Sequence, residues 1–313
     1  MAGPTSLGRR FLTNDPGVIA RFGDPFQPLE PECHVIQFDE RLSPSQLERA
    51  GRLTVERPDV ELYVYGRAWR DLSFLKYFKT VQRLHIALYE LGDTEGSADA
   101  PWLRELKFGE TRKNFSLRFV AAWPRLKSLF VVRPKTDLRC ICDLTDLEYL
   151  GLSGFTLPNL SLLLPLLKLR KLDLFLGGTR NLAALAQLPE LEELRLMRIT
   201  KLSDLGILSD LVGLKTLHLD WMRNVTALPR LPMLEDVTLD TMKGLTDLSP
   251  LAAVPTLCRL AIGEMRHLTA DSFRCFIGHP ALQELRIETG RRRVNAQVRE
   301  MLPLVVRKFE NQA

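Results

Sequence analysis

The sequence predicts an α/β solenoid, in which short coils stack and each coil adds one strand to a parallel sheet. The apolar frame Leu-x-x-Leu-x-Leu recurs ten times after a degenerate first copy at Leu62-Tyr63-Val64, and successive copies are 20 to 25 residues apart. A fixed period of this length is typical of repeat proteins. The central apolar residues of the copies are Leu62, Leu84, Leu106, Leu129, Leu150, Leu172, Leu194, Leu217, Val237, Leu260 and Leu285.

The spacing within one copy explains the coil. In the copy Leu169-x-x-Leu172-x-Leu174, the last two leucines are two residues apart, so a short strand turns both to the same face. The leucine three residues earlier enters from the preceding turn. A single coil cannot bury these side chains, whereas stacked coils form a continuous apolar core.

Both ends of such an array need a cap. Residues 34–39 read as a strand one coil ahead of the array, and Ser43-Pro44-Ser45-Gln46 carries a capping-box pattern with proline at the first helical position. We expect an N-terminal cap over residues 1–55, the repeat array over 56–290 and a C-terminal capping helix over 291–313.

The C-terminal helix is predicted from an apolar face over residues 291–311, where Pro303 should kink the helix or end its first part. The run Arg291–Arg293 is expected to be a solvated helix start, and contact with phosphate or an acidic partner is the alternative. The face contains Val294, Val298, Met301, Leu302, Val305 and Phe309.

The segment 247–254, Asp-Leu-Ser-Pro-Leu-Ala-Ala-Val, resembles the return segment of internalin-type bacterial leucine-rich repeats. The array is also similar to phosphatase-1 regulatory subunits of the short 22-residue class, and the resemblance covers roughly residues 55–290. It implies a right-handed solenoid with its sheet on the concave face and an irregular or 3-10 convex side. Leucine-rich repeats of this class usually carry an asparagine after each strand, and this sequence lacks it. We expect apolar packing to take its place. The residues at these positions are Phe155, Gly177, Ile199, Met222, Met242 and Met265.

The residues between the strand leucines should point outward and form the concave face. In the middle repeats they bring aromatic and charged side chains together on neighbouring strands, a composition typical of protein interfaces. We therefore predict a partner-binding patch of Phe130, Tyr149, Asp173, Phe175, Arg195, Met197, His218, Asp220, Trp221 and Asp240. Exposed apolar residues without a function, and a purely structural Asp173–Arg195 pair, are the alternatives.

The charge on this face argues against nucleic acid. The three outward positions of the eleven strands hold nine acidic and six basic residues, a balance of −3, although the chain carries +5. Phosphate contacts supply much of the affinity of nucleic-acid-binding proteins, and they need a positively charged surface. We expect another protein as the partner, and a monomeric chain.

No motif for nucleotide binding, metalloprotease or serine-hydrolase chemistry occurs in a suitable setting. We therefore expect no catalytic residues, no metal and no cofactor. A metal-dependent hydrolase using His218, Asp220 and Asp240 is a weak alternative.

Composition predicts a soluble protein in a reducing compartment. The apolar fraction is 45% and the charged fraction 26%, and the five cysteines include no Cys-x-x-Cys pair. The apolar stretch 157–169 is too interrupted to span a membrane, and the N-terminus lacks a signal-peptide core. We expect a cytoplasmic location; export without a cleaved signal is the alternative.

Together these features predict a non-catalytic scaffold that binds a protein partner on its concave face. A regulatory subunit or secreted effector that acts through a partner enzyme is the alternative.

Overall fold

A computed structural model of the chain describes residues 34–112, 115–133, 136–303 and 306–307. The chain forms two compact units, residues 1–129 and 130–313. The first 33 residues of the predicted N-terminal cap, including Cys33, lie outside the described residues. So do Val305 and Phe309 of the predicted C-terminal helix.

In the N-terminal unit the strands pair in parallel and in chain order. The capping box predicted at Ser43 and Gln46 is confirmed and begins the first helix at Pro44. Short 3-10 helices at Ser73–Tyr77, Ser97–Asp99 and Leu117–Ala122 return the chain after the strands. The strands and helix are β1 (Val35–Phe38), α1 (Pro44–Glu56), β2 (Glu61–Gly66), β3 (Arg83–Leu88) and β4 (Glu105–Phe108).

An aromatic cluster fills the start of this unit. The ring of Phe38, on the first strand, lies 6.0 Å from that of Trp69 and 5.9 Å from that of Phe74. The indole N–H of Trp69 donates a hydrogen bond to the Glu40 carbonyl over 2.9 Å. The first strand therefore closes the apolar end of the array, and the segment that follows it satisfies the buried indole.

The strand β5 (Ser128–Val132) includes the boundary between the units. In the C-terminal unit the following strands repeat with the predicted period. They are β6 (Tyr149–Ser153), β7 (Lys171–Phe175), β8 (Glu193–Met197), β9 (Thr216–Asp220), β10 (Asp236–Asp240), β11 (Arg259–Gly263), β12 (Glu284–Glu288) and β13 (Val306–Arg307).

The return segments of the C-terminal unit are short helices or irregular chain, as the resemblance implied. One is the α-helix α2 (Ser249–Ala252), which lies in the internalin-like segment. The 3-10 helices are Leu138–Asp143, Ser161–Leu163, Ala183–Gln187, Gly206–Asp210 and Ala270–Phe276.

All eleven predicted central residues lie at the second position of strands β2 to β12, and each is buried. Strand partners stand in register; Leu172, for example, pairs with Leu150 on one side and Leu194 on the other. The leucines therefore form continuous rows within the core of each unit, which is the burial that a single coil could not achieve.

Apolar residues occupy the position of the missing asparagine, as predicted. Phe155, Ile199 and three methionines in the equivalent position are at most 2% exposed. Gly177 leaves a gap in this row, and the Phe155 ring fills it, since a Cβ atom on Gly177 would lie 2.3 Å from the ring. Packing thus replaces the hydrogen bonds of an asparagine row.

A residue with left-handed backbone follows each of seven successive strands, β5 to β11. Its N–H donates to the carbonyl of the last residue of the next strand; the N–H of Trp221 reaches the Asp240 carbonyl over 3.0 Å. Because all seven make this bond, the conformation belongs to the repeat. The residues are Arg133, Gly154, Leu176, Arg198, Trp221, Thr241 and Glu264.

The C-terminal helix α3 (Arg292–Met301) is shorter than predicted. The chain leaves the helix at Leu302, before Pro303, which has no N–H to continue it. Residues 306–307 instead form β13, which pairs in parallel with β12. The prediction of helix through residue 311 is therefore wrong over these two residues.

Within the helix, Val294 and Val298 are buried as expected. The sequence pattern missed the buried Asn295, whose Oδ1 accepts hydrogen bonds from the backbone and hydroxyl of Thr289. These bonds tie the helix to the end of the last long strand and satisfy a buried polar group.

Replacing Phe155 with alanine should lower the free energy of unfolding by about 3–5 kcal/mol, because a cavity opens beside Gly177. Urea denaturation followed by circular dichroism measures this change. Leu176→Ala is the control, since that side chain is 50% exposed and should cost about 0.5 kcal/mol or less. Equal losses from both variants would contradict the packing role of Phe155.

Candidate functional site

Nine of the ten residues of the predicted patch, all except Trp221, lie on one face of the sheet in the C-terminal unit. We call this the outer face; it is formed by the strand residues that alternate with the core leucines. The register places Asp173, Arg195 and His218 in one row, and Phe175, Met197, Asp220 and Asp240 in the next. The sequence therefore predicted correctly which of these strand residues are neighbours.

An aromatic cluster covers one end of the patch, where Gly151 provides the space. A Cβ atom on Gly151 would lie 2.2 Å from the Phe130 ring and 2.7 Å from the Tyr149 hydroxyl. The rings of Phe130 and Phe175 are 6.2 Å apart. The missing side chain thus leaves room for the Phe130 ring, from strand β5, and for the Tyr149 hydroxyl, from β6 itself.

This arrangement corrects one prediction about exposure. Asp173 and Phe175 were expected to project into solvent, but each is only 4% exposed. Tyr149, Phe130 and Met197 are half-buried, and Arg195 is exposed. Neighbouring side chains cover the middle of the patch, because flat aromatic rings spread over adjacent strands only about 4.8 Å apart.

Asp173 is the buried charged group of the patch. The Tyr149 hydroxyl donates to its Oδ2 over 3.0 Å, and an Arg195 nitrogen lies 3.9 Å from the same oxygen. Its Oδ1 is buried and accepts no hydrogen bond from the described residues. Burial raises the pKa of Asp173, although Arg195 and Tyr149 oppose the shift.

The same contact affects Tyr149. Burial, and then the negative charge of Asp173, raise the pKa of the Tyr149 hydroxyl above its ordinary value. The hydroxyl therefore stays protonated and acts as a hydrogen-bond donor toward Asp173.

His218, Asp220 and Asp240 form the other end of the patch. Burial, followed by the positive charge of Arg195, lowers the pKa of His218 to about 4, so its ring is neutral at pH 7. Burial and repulsion by Asp240 raise the pKa of Asp220 to about 6. The Oδ1 of Asp220 is buried and accepts no hydrogen bond from the part of the chain that the structure describes.

These three residues do not gather around a common point. Asp240 accepts a hydrogen bond from the Thr241 hydroxyl over 2.5 Å. Among the described residues, no group of three or more histidine, cysteine, aspartate or glutamate side chains could hold a metal ion.

Trp221 lies apart from the outer face, in the left-handed position after strand β9. The Arg198 guanidinium stands 4.3 Å from the Trp221 ring centre, and that of Arg223 stands 5.4 Å from it. With Thr200 and Asn224 they line a pocket of about 400 Å³. The sequence prediction missed these four neighbours of Trp221, although all of them lie within four residues of the end of strand β8 or β9.

A second surface cluster, also missed, lies in the N-terminal unit. The rings of Tyr63 and His85 stack 4.1 Å apart, and those of Tyr63 and Tyr65 stack 4.8 Å apart. Glu61 contacts Lys107 at 2.6 Å and His85 at 3.5 Å. Two tyrosines at alternate positions of one strand were the sequence signal for this cluster.

Solved structures share this architecture. The structure of an internalin, InlF, from Listeria monocytogenes matches with a TM-score of 0.54 and 18% identity, over 90% of this chain and 88% of that one. The chain has the leucine-rich repeat fold. At this identity the likeness concerns the fold alone.

Two further leucine-rich repeat structures match less well. Internalin C2 of Listeria monocytogenes has a TM-score of 0.41 and 22% identity, over 68% of this chain and 82% of that one. A leucine-rich repeat protein of Leptospira interrogans has a TM-score of 0.37 and 14% identity, over 87% and 88%.

Sequence comparisons add no relative to these structures. No family model matches the sequence, and no curated protein matches it. In the described part of this leucine-rich repeat chain, no helix combines the length and apolar character needed to cross a membrane.

Asp220→Asn should stabilise the protein at pH 7.5 by on the order of 1 kcal/mol, a value reduced for partial exposure. The raised pKa of Asp220 means that wild-type stability falls as the pH rises from 3.8 to about 6, because the buried carboxylate becomes charged. Asparagine does not titrate. Urea unfolding at pH 7.5 and pH 4 measures the difference.

The gain from Asp220→Asn should shrink toward pH 4, where the wild-type carboxyl group is largely protonated. The His218 titration provides a control, since its lowered pKa acts in the opposite direction: stability is lost as the pH falls from 6.5 toward 4. Both variant and wild type should share this loss. A gain independent of pH would contradict the raised pKa of Asp220.

Proposed function

We propose that this leucine-rich repeat chain is a non-catalytic scaffold that binds a protein partner on the outer face of its sheet. The observation that carries the proposal is the aromatic cluster of Phe130, Tyr149 and Phe175 around the buried Asp173. Aromatic side chains next to a few specific polar groups are typical of the energetic centre of a protein interface.

The buried oxygens favour a partner with hydrogen-bond donors. Asp173 and Asp220 each have a buried Oδ1 that accepts no hydrogen bond from the described residues. Leaving such an atom without a donor costs about 1–3 kcal/mol. A partner that supplies an N–H or O–H group at either oxygen would recover this free energy on binding.

The strands give the patch a fixed geometry. Asp173, Arg195 and His218 lie on three successive strands and border a small pocket of about 160 Å³. Their backbone is already ordered by parallel pairing, so binding costs little additional backbone entropy.

The same geometry supports a binding role over catalysis. His218 is neutral and half-buried, and it makes no hydrogen bond to a described serine, threonine or cysteine. A histidine that activates a nucleophile needs such a contact. The outer face is therefore suited to binding a partner. In the alternative proposal, the partner is an enzyme whose activity is regulated through this face.

Cysteine chemistry agrees with the proposed cytoplasmic location. Cys140, Cys142, Cys258 and Cys275 all have free thiols. Partial burial raises the pKa of Cys142 and of Cys275, which favours the protonated form of both thiols. We propose a monomer with a protein as its partner, without nucleic acid and without a membrane.

Met197→Lys should weaken partner binding by at least about tenfold, because it places a charge beside the aromatic cluster. The new ammonium group would face Asp220, so stability should change little. Affinity capture from the native cell extract, followed by titration of the captured protein, measures the loss. Phe175→Ala is unsuitable, since Phe175 is buried and the change would destabilise the chain.

Val212→Lys is the matched control, since Val212 is 75% exposed on a return segment. It should bind the partner as the wild type does. Both variants should unfold at the wild-type urea concentration. Unchanged binding by Met197→Lys and also by Phe130→Ala would exclude the outer face as the site.

A further inference from the structure

The edge where the strands of the C-terminal unit end carries a row of positive charges. Counting from the last strand residue, the third position holds Arg223, Lys243, Arg266 and Arg291 after strands β9 to β12. After β8, Arg198 takes the first position and Lys201 the fourth. We call these six residues the basic edge; five are exposed and Arg198 is half-buried.

Elsewhere in the same unit, equivalent positions on neighbouring coils carry opposite charges that pair. Glu192 lies 2.6 Å from Arg170 of the preceding coil and 2.8 Å from Lys215 of the following one. Asp236 and Arg259 pair in the same way at 2.7 Å. The fold therefore places charges of successive coils close enough to interact, and it normally alternates their sign.

The basic edge departs from this pattern. Arg266 pairs with Glu264 at 3.5 Å, but within the described ranges Arg198, Lys201, Arg223, Lys243 and Arg291 form no ion pair. Like charges on adjacent coils repel one another and reduce stability. A row of them along one edge of successive repeats indicates a surface that is neutralised by something outside the chain.

The contacts of Trp221 give the basic edge a fixed centre. Both guanidinium groups that stand over its ring, those of Arg198 and Arg223, make no hydrogen bond to a described residue. A guanidinium that stacks on a ring keeps its N–H groups available in the plane of the group. The Asn224 amide donates to the Thr200 carbonyl over 2.8 Å and holds the two loops together.

We propose that the basic edge binds an acidic segment of the protein partner, with carboxylates on Arg198 and Arg223 and further acidic residues toward Lys243. This inference rests on the proposed binding function. It adds the charge of the segment that the partner must present.

The sign of the surrounding charge favours a protein over a nucleic acid. Asp220 and Asp240, at the ends of their strands, precede the basic edge directly in the chain. A nucleic acid carries one negative charge per nucleotide, so it cannot match an acidic row and a basic row that lie side by side. A protein can, because its side chains vary in charge along the chain. Trp221 also offers little stacking surface for a base, since two guanidinium groups already stand over its ring.

The test uses a fluorescently labelled, glutamate-rich synthetic peptide and the full chain. Binding measured by fluorescence anisotropy should weaken as salt increases, since exposed charges are screened. The double variant Arg198→Gln/Arg223→Gln should lose at least about tenfold in affinity. Lys243→Gln should lose less, because it lies farther from Trp221.

Arg230→Gln is the control for loss of positive charge elsewhere, because it removes one such charge from an exposed residue in the coil of Arg223, whereas the double variant removes two. It should bind the peptide as the wild type does, and all variants should unfold at the wild-type urea concentration. Equal losses from the control and the double variant would overturn the proposal. So would tighter binding of a single-stranded DNA of equal charge, or of vesicles containing phosphatidylserine.

The two proposals can fail separately. Met197→Lys should not weaken peptide binding, because it adds a positive charge on the outer face and removes none from the basic edge. If the peptide does not bind while Met197→Lys still abolishes partner capture, the basic edge is excluded and the outer face stands.

Discussion

The structure depends on one constraint: a single coil cannot bury its own leucines. The two leucines of a short strand and the leucine of the preceding turn form an apolar surface that only a neighbouring coil can cover. Each coil must therefore return to the same position with the same spacing. The register of Leu150, Leu172 and Leu194 across adjacent strands is the direct result.

This constraint also fixes where function can reside. Once alternate strand residues are committed to the core, the residues between them face outward in rows. The left-handed residue after each strand extends the hydrogen-bonded ladder by one N–H and turns the chain away. Side chains at fixed offsets after the strands, such as Trp221 and Arg223, consequently align along one edge.

Charge is distributed differently over these rows. At the strand starts, opposite charges pair between coils, as Glu192 does with Arg170 and Lys215. On the outer face, Asp173 is buried against Tyr149 and Asp220 is half-buried, and the pKa values of both are raised. Along the edge after the strands, positive charges stand in succession. One backbone repeat thus carries three surfaces with different binding properties, because only the core positions are fixed by the fold.

The sequence by itself determined the repeat, the eleven strand positions, the capping box and the apolar replacement of the asparagine row, since these follow from spacing and side-chain size. It also predicted which outer-face residues are neighbours. Tertiary structure alone decided their exposure: Phe175 and Asp173 are buried in a cluster where Gly151 leaves room for the Phe130 ring and the Tyr149 hydroxyl. It also decided that residues 306–307 pair with β12 and which groups surround Trp221, since these depend on contacts between coils that are distant in sequence.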